Sequence, residues 1–149
     1  MHPKYPFSFD EFKAIYTKVP RLTVDLIIQS AEGILLTKRS LSSWRGQWHL
    51  PGGTVYYKET IEQAVKRVAK EEVHVDVTIE KQLGYIEYFS EEKERGFGWT
   101  ISIAIACRII DGIPLASEQG SEPTFFTSLP EPIVEEQKAF LLKNFSFLH

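Results

Sequence analysis

The sequence predicts an α/β fold in which helices lie on both sides of a mixed sheet. Two apolar runs at 22–29 and 34–38 flank a turn that contains Gly33, which is typical of a β-hairpin. A segment with helical spacing follows at 59–73, and strand-like runs and a last helix complete the pattern. The 149 residues contain no internal repeat and no linker, so we expect one domain over 1–149, with 1–20 as an N-terminal helical extension.

The N-terminal extension carries a helix start. Ser8 and Glu11 form a capping-box pattern, and Phe7 is spaced to pack against Phe12. We expect this helix to end before Pro20, where the first strand of the hairpin follows.

After the hairpin comes a loop at 40–53, rich in Ser, Gly and Trp, that ends in Leu-Pro-Gly-Gly. Adjacent glycines leave the backbone without side-chain cover and suit close approach by a ligand. Thr60 and Gln63 form a second capping box, which starts the central helix. The later expected elements are strands at 75–79, 83–89 and 99–110, a charged hairpin loop at 90–98, a short strand at 124–127 and an amphipathic helix at about 134–144.

Charge and composition restrict the classes of partner. Seventeen Lys and Arg residues against 20 Asp and Glu give a net charge of −3 without a block of like charges, which disfavours nucleic acid polymers and anionic membranes. Cys107 is the only cysteine and lies in an apolar run, so we expect a buried side chain and no intramolecular disulfide. Without a signal-peptide or membrane-spanning pattern, we expect a cytoplasmic protein.

Glu72 is the anomaly of the central helix. At about 100° per residue, it falls in the middle of the apolar stripe, and Glu71 falls at the edge of that stripe. A carboxylate that faces the core costs several kcal/mol unless it is paired or binds a metal. The alternative is a helix that frays by residue 72, which would release the carboxylate to water or let it pair with a nearby Arg. Adjacent acids at a helix end also supply the hard oxygen ligands that Mg²⁺ prefers alongside substrate phosphates.

The spacing Gly53-x5-Glu59-x7-Arg67-x3-Glu71-Glu72 resembles the Nudix box, and it follows a hairpin and a Leu-Pro-Gly-Gly lead-in. This resemblance covers roughly 22–129 and implies an α/β/α sandwich. It also implies Mg²⁺-dependent hydrolysis, with Mn²⁺ as an alternative ion, of a nucleoside diphosphate linked to another group, at a P–O or a glycosyl C–O bond.

Within the family, the N-terminal helix, the first strands and the lead-in most resemble the GDP-mannose mannosyl hydrolase branch. The resemblance then implies that Asp25 and Arg39 lie near the sugar and phosphates of a nucleotide substrate. It also implies that the Gly52 carbonyl, Glu72 and Gln119 hold the metal.

Several positions depart from the family pattern. Val68 replaces the Glu that directly follows the Arg of the box, Gly120 stands where the sugar-hydrolase branch has His, and Thr54 stands where that branch has Arg. These departures leave the general base unassigned and motivate an alternative function, a nucleotide-binding or sensing module with degraded catalysis. His74 replaces the box glycine at the helix end and predicts a different helix exit.

The candidate residues receive roles by their chemistry. Glu72 is the principal metal ligand, Glu71 shares the metal, and Glu59 and Arg67 form a structural ion pair. Arg39 is the preferred phosphate contact, and Lys38 is the weaker candidate because adjacent strand residues point to opposite faces. The candidates for the general base are Glu71, Glu118, Glu122 and His49. Trp44, Trp48, Tyr85 and Tyr88 are candidates for stacking on a base, with core packing as the alternative, and the apolar terminal helices offer a homodimer face or a local cap.

Overall fold

The computed structural model describes residue 6 and residues 8–148 of the chain. Phe7 lies outside this range, so the expected contact between Phe7 and Phe12 falls outside the described residues. In chain order the elements are α1 (Phe9–Tyr16), β1 (Arg21–Ser30), β2 (Gly33–Arg39), β3 (Trp48–His49), β4 (Gly52–Thr54), α2 (Ile61–Val73), β5 (Asp76–Glu87), α3 (Glu91–Arg95), β6 (Thr100–Asp111), β7 (Gly120–Phe126), α4 (Glu135–Asn144) and a 3₁₀ turn (Ser146–Leu148).

The strands form a mixed sheet in the order β3-β2-β1-β6-β5, and β4 and β7 pair with β1 and β2, respectively. The predicted hairpin is present, with Gln29 opposite Ile34 in an antiparallel pair. β1 is central and runs parallel to β6. Its middle also pairs with β4, which places Asp25 directly opposite Gly52.

Two apolar clusters cover opposite sides of β1. Leu26 and Ile28 belong to the cluster under α2, whereas Ile27, between them, belongs to the cluster that contains Leu141 of α4. This alternation follows from the two-residue period of a strand. It gives the predicted α/β arrangement with helices on both sides of a mixed sheet.

Both predicted capping boxes are present, at Ser8 and Glu11 and at Thr60 and Gln63. Cys107 is buried, as expected, and burial raises the pKa of its thiol to about 12. Among the described residues, no helix is long and apolar enough to cross a membrane.

Four sequence expectations need correction. The two strands expected at 75–79 and 83–89 are one strand, β5, because β6 pairs along its whole length and absorbs the irregular residues as bulges. The charged loop at 90–98 contains the short helix α3. The strand expected at 124–127 begins earlier, at Gly120, since β2 supplies partners for residues 120 and 121. Finally, His74 does not change the helix exit, because it adopts the left-handed conformation itself, with φ of 62°.

Candidate active site

Glu72 lies at the C-terminal end of α2, on the face that packs against the sheet. Its side chain is only 6% exposed, and its neighbours on that face include Val68 and Ala69. The helix continues through Val73, and the N–H of His74 still donates to the carbonyl of Lys70. The fraying alternative is therefore wrong, and Glu72 is a core-facing carboxylate as its position in the sequence predicts.

Arg67 braces the segment that leads into α2. Its Nε lies 2.7 Å from Oε2 of Glu59, which is the predicted ion pair, and its Nη1 lies 2.9 Å from Oε1 of Glu71. Its Nη2 donates to the carbonyl of Thr54 at 2.6 Å, and the guanidinium lies over the ring of Tyr56. One half-buried arginine thus holds the β4 end, the following loop and the acidic end of α2 together.

A small cavity, of about 10 Å³, lies between α2, β4 and the start of β7. Its walls include Gly52, Glu71, Glu72 and Gln119, which are the four residues expected at a metal. This volume is close to that of one water or one ion. Throughout residue 6 and residues 8–148, no three His, Cys, Asp or Glu side chains gather at one point. A cation here would therefore also use the Gly52 carbonyl and the Gln119 amide. Two carboxylates, a carbonyl and an amide form a hard oxygen set that fits Mg²⁺.

Gly52 is required by the close approach of β1. A Cβ at position 52 would lie 2.4 Å from Oδ1 of Asp25 and 2.9 Å from the carbonyl of Val24. At Gly53 the nearest atom would be Cγ2 of Val68, at 3.0 Å. Glycine at position 52 thus allows the backbone to lie directly against Asp25, between the small cavity and a much larger one.

The larger cavity has a volume of about 370 Å³ and shares Gly52, Gly53 and Gln119 with the small cavity. This volume lies in the range of small-molecule pockets. Its charged lining consists of three guanidinium groups and two carboxylates, from Arg21, Arg39, Arg95, Asp25 and Glu118. The large cavity therefore combines a lining that carries three guanidinium groups with a wall that it shares with the small cavity.

Asp25 lies on the wall of this cavity and is 6% exposed. Its Oδ2 accepts a hydrogen bond from the Tyr88 hydroxyl, and that hydroxyl accepts one from Nε2 of Gln137 at 2.8 Å. Burial raises the pKa of Asp25 to about 6, although the bond from Tyr88 and the nearby Arg21 and Arg39 oppose the shift. Burial, followed by the charge of Asp25, also raises the pKa of Tyr88 well above its usual value.

Arg39 and Trp44 form the loop side of the large cavity. Arg39 donates from Nε and Nη2 to the carbonyl and hydroxyl of Ser43, and its guanidinium lies over the Trp44 ring. Trp44 adopts a positive φ of 53°, its N–H donates to Glu94, and its indole N–H donates to Ser90. The loop at 40–53 is therefore attached to α3, and its Ser43 holds the side chain of Arg39, at the end of β2, on the wall of the cavity.

His49 also lines the large cavity, yet it is buried and bonded at both nitrogens. Its Nδ1 lies 2.7 Å from the carbonyl of Leu50, so Nδ1 carries the proton and Nε2, at 3.2 Å, accepts from the hydroxyl of Thr37. Burial, assisted by the charge of Arg39, lowers the pKa of His49 to about 3. The side chains of His49 and Thr37 fill the space beside Gly120, where a Cβ would lie 2.4 Å from Oγ1 of Thr37.

The structure separates the remaining candidates. Lys38 and Glu122 line neither cavity, and Nζ of Lys38 instead lies over the ring of Trp48. Trp48 packs edge-on against Phe126, which is the core alternative. Tyr85 is 64% exposed and lies outside both cavities, whereas Tyr88 lines the large one.

The cavity residues that the sequence reasoning missed include Arg21, Arg95 and Gln137. Gln137 is 5% exposed on α4, between Val134 and Leu141 at helical spacing. This is the same kind of signal that singled out Glu72, a polar residue on an apolar helix face. No comparable signal marks Arg21, because its place in the cavity depends on residues far away, such as Thr54 and Thr100.

Comparisons with known proteins agree with this architecture. The family model described as the NUDIX domain matches residues 19–122. The chain is 35% identical over 121 residues to the ADP-ribose pyrophosphatase of Methanocaldococcus jannaschii, a match that covers 80% of this chain and 70% of the relative. It is 47% identical over 85 residues to the low-salt glycan biosynthesis protein Agl8 of Haloferax volcanii, a match that covers 57% of this chain. The matched region spans about half the length of Agl8, 54%.

Among solved structures, the MutT NUDIX hydrolase from Burkholderia pseudomallei superposes with a TM-score of 0.72 at 23% identity, and the match covers 85% of this chain and 98% of that one. At this identity the superposition shows the shared fold. The family model, which matches well over half of the chain, shows the family. The chain therefore belongs to the Nudix hydrolase family.

Proposed function

We propose that this chain is a Mg²⁺-dependent hydrolase of compounds in which a nucleoside diphosphate is linked to another group, with nucleotide sugars as the substrate type. The observation that carries the proposal is the position of Glu72. It is a buried carboxylate at a one-ion cavity that shares Gly52, Gly53 and Gln119 with a cavity of ligand size. A ligand in the large cavity would have its phosphates next to the cation position.

The proposed metal residues are Glu72, Glu71, the Gly52 carbonyl and Gln119. Nudix hydrolases use divalent metal ions, and a bound cation neutralises charge on the phosphates and acidifies a water. Arg67 holds Glu71 in place through its 2.9 Å ion pair. Arg39, fixed by Ser43, supplies cationic N–H donors to the phosphates from the wall of the large cavity.

The proposed general base is chosen from the carboxylates that remain near the shared wall. His49 is a weak base because its pKa is lowered to about 3, and Glu122 lines neither cavity. Glu71 is already proposed as a metal ligand and is held by the Arg67 guanidinium at 2.9 Å. Glu118 lies next to Gln119 on the wall of the large cavity. We therefore assign Glu118 as the general base that accepts the proton of the attacking water.

Two observations favour a nucleotide sugar. Asp25 and Tyr88 place polar groups among apolar walls, as recognition of a hydroxyl-rich group requires. In addition, the Haloferax relative is named as a glycan biosynthesis protein. The Methanocaldococcus relative is named as an ADP-ribose pyrophosphatase, so ADP-ribose belongs in the same test.

The decisive experiment is a hydrolysis screen of nucleotide sugars, ADP-ribose, dinucleoside polyphosphates and nucleoside triphosphates with Mg²⁺ or Mn²⁺. Glu72→Gln should lower turnover of the best substrate by at least about 100-fold, because it removes a charge that stabilises the transition state. Glu62→Gln is the matched control, since Glu62 is an exposed acid on the same helix, paired with Lys66. Unchanged turnover in Glu72→Gln would refute the metal assignment.

Two further measurements distinguish the bond that is cleaved and test the alternative function. Hydrolysis in ¹⁸O-water places the label in phosphate if a P–O bond is attacked at phosphorus, and in the sugar if the glycosyl carbon is attacked. The alternative, a nucleotide-binding module, is motivated by Val68, an apolar and buried residue at a position where the family has a carboxylate. Tight binding of a nucleotide by calorimetry without any product would favour that alternative.

A further inference from the structure

The segment that leads into Gly52 is held from the C-terminal part of the chain. The N–H of Trp48 donates to the carbonyl of Pro132 at 2.9 Å, and the N–H of Val134 donates to the carbonyl of Trp48 at 3.1 Å. The next N–H in this ladder belongs to Leu50. By this point the partner segment has entered α4, and its backbone no longer runs alongside.

Gln137 completes the ladder with its side chain. Its Oε1 accepts the N–H of Leu50 at 2.7 Å, and the bond is buried. Pro51 follows, and its carbonyl accepts from the N–H of Leu26 at 2.8 Å. The peptide before Gly52 is thus fixed by α4 on one side and by β1 on the other.

The other end of the same amide reaches Asp25. Nε2 of Gln137 donates to the hydroxyl of Tyr88, which in turn donates to Oδ2 of Asp25. Asp25 is the β1 partner of Gly52, and a Cβ on that glycine would collide with Oδ1. The amide oxygen of Gln137 therefore holds the chain that precedes Gly52, and its amide nitrogen connects through Tyr88 to Asp25, the β1 partner of Gly52.

We infer that Gln137 is a positioning residue of the active site. It fixes the position of the Gly52 carbonyl through Leu50 and that of the Asp25 carboxylate through Tyr88. This inference rests on the proposed function. It adds to the site a residue beyond the 19–122 region that matches the family model. Gln137 does not line the small cavity, so its effect on the proposed cation position passes through the residues that do.

The test uses the full chain and two readouts, the Mn²⁺ dissociation constant from electron paramagnetic resonance and the kcat and KM of the best substrate. Gln137→Met keeps the length of the side chain and removes both hydrogen bonds. We expect its Mn²⁺ dissociation constant to rise about 10-fold, the low end of the effect of losing an outer-shell partner of a metal ligand. We expect kcat to fall by a similar factor, with KM changed by less than about 3-fold.

Two further variants separate the effect through Leu50 from the effect through Tyr88, and a third controls for loss of stability. Gln137→Glu retains an oxygen for the Leu50 N–H and should restore most of the Mn²⁺ affinity. Tyr88→Phe removes only the Asp25 branch, so kcat should fall while the Mn²⁺ affinity stays within about 2-fold of wild type. Leu141→Ala, at a buried apolar position of the same helix, should lower the Tm at least as much as Gln137→Met and leave the Mn²⁺ affinity unchanged.

If Gln137→Met binds Mn²⁺ as tightly as the wild type and keeps the wild-type kcat, the inference is overturned. Equal weakening in Leu141→Ala would also overturn it, because the effect would then be general destabilisation. A wild-type chain that binds Mn²⁺ but hydrolyses no compound refutes the proposed function alone, and the affinity measurements still decide on Gln137. A wild-type chain that binds no Mn²⁺ refutes both.

Discussion

Asp25 and Tyr88 share a buried hydrogen bond at the wall of the large cavity, where the phenol donates to the carboxylate. Burial nevertheless raises the pKa of Asp25 from 3.8 to about 6. The native state therefore holds this proton more tightly than the unfolded chain does. The contribution of Asp25 to stability is fully present below about pH 4 and is lost as the pH rises to about 6. Two pKa units correspond to a loss of about 3 kcal/mol.

We accordingly predict that Asp25→Asn flattens the pH dependence of stability in the metal-free protein. The amide oxygen of Asn still accepts from Tyr88 but does not ionise, so the variant should gain stability over wild type between about pH 4 and pH 6. Urea unfolding with a chelator at pH 4, 5, 6 and 7 measures this effect. Asp76→Asn, at an exposed aspartate paired with Lys70, is the control. Parallel pH curves for wild type and Asp25→Asn would contradict the prediction.

Arg67→Lys should lower the free energy of unfolding by about 1 to 3 kcal/mol. A lysine ammonium is a single point of charge and does not reproduce the fork that reaches Glu59, Glu71 and the Thr54 carbonyl. Chemical denaturation measures the difference. Lys66→Ala removes an exposed ion pair from the same helix and should change stability by less than about 1 kcal/mol. Similar losses in the two variants would show that Arg67 is an ordinary surface contact.

Gly52→Ala should be more damaging than Gly53→Ala. The added methyl at position 52 meets a carboxylate oxygen and a backbone carbonyl, whereas the methyl at position 53 meets one side-chain methyl of Val68. We expect the first variant to lose about 1 to 3 kcal/mol of stability, together with its Mn²⁺ affinity, and the second to lose less. Thermal unfolding and Mn²⁺ titration test the order of the two, and the reverse order would rule out close approach as the reason for Gly52.

His74→Gly should stabilise the protein by about 0.5 to 1 kcal/mol. His74 occupies the left-handed region, which costs a residue with a Cβ about 1 kcal/mol that glycine does not pay. The bond that glycine forfeits, between Nε2 and the carbonyl of Ala116, is exposed and contributes little. His74→Ala keeps the strain and also loses that bond, so it should be less stable than wild type. If both variants shift the Tm in the same direction, backbone strain is not the controlling factor.

The parts of the fold that were predictable are those encoded by neighbouring residues. The hairpin, both capping boxes and the inward position of Glu72 all depend on residues within a few turns or a few strand positions. The single strand β5 was not predictable in the same way. Its bulges interrupt the local pattern, and only the long-range pairing with β6 makes it continuous.

The site shows the same division. Glu59, Arg67, Glu71 and Glu72 lie within 14 positions of one another, and their spacing gave the box. Gln137 reaches Leu50 from 87 positions away, and Tyr88 reaches Asp25 from 63. The preference for Arg39 over Lys38 was predictable, because adjacent strand residues point to opposite faces, and Arg39 is the one of the two that lines the cavity.

The two cavities differ in which parts of the chain build them. The walls of the small cavity come from 52–119, inside the region shared with the family, whereas the large cavity also takes Phe9, Phe12, Val134 and Gln137 from outside that region. If the large cavity holds the ligand, as proposed above, the terminal helices contribute to ligand choice together with residues from inside the family region. Under that proposal, substitutions of Phe9, Phe12 or Val134 would change which compound is accepted and leave the proposed metal residues in place, whereas a substitution of Gln137 would also disturb the position of Gly52. An exchange of terminal segments between relatives is therefore a direct way to alter selectivity.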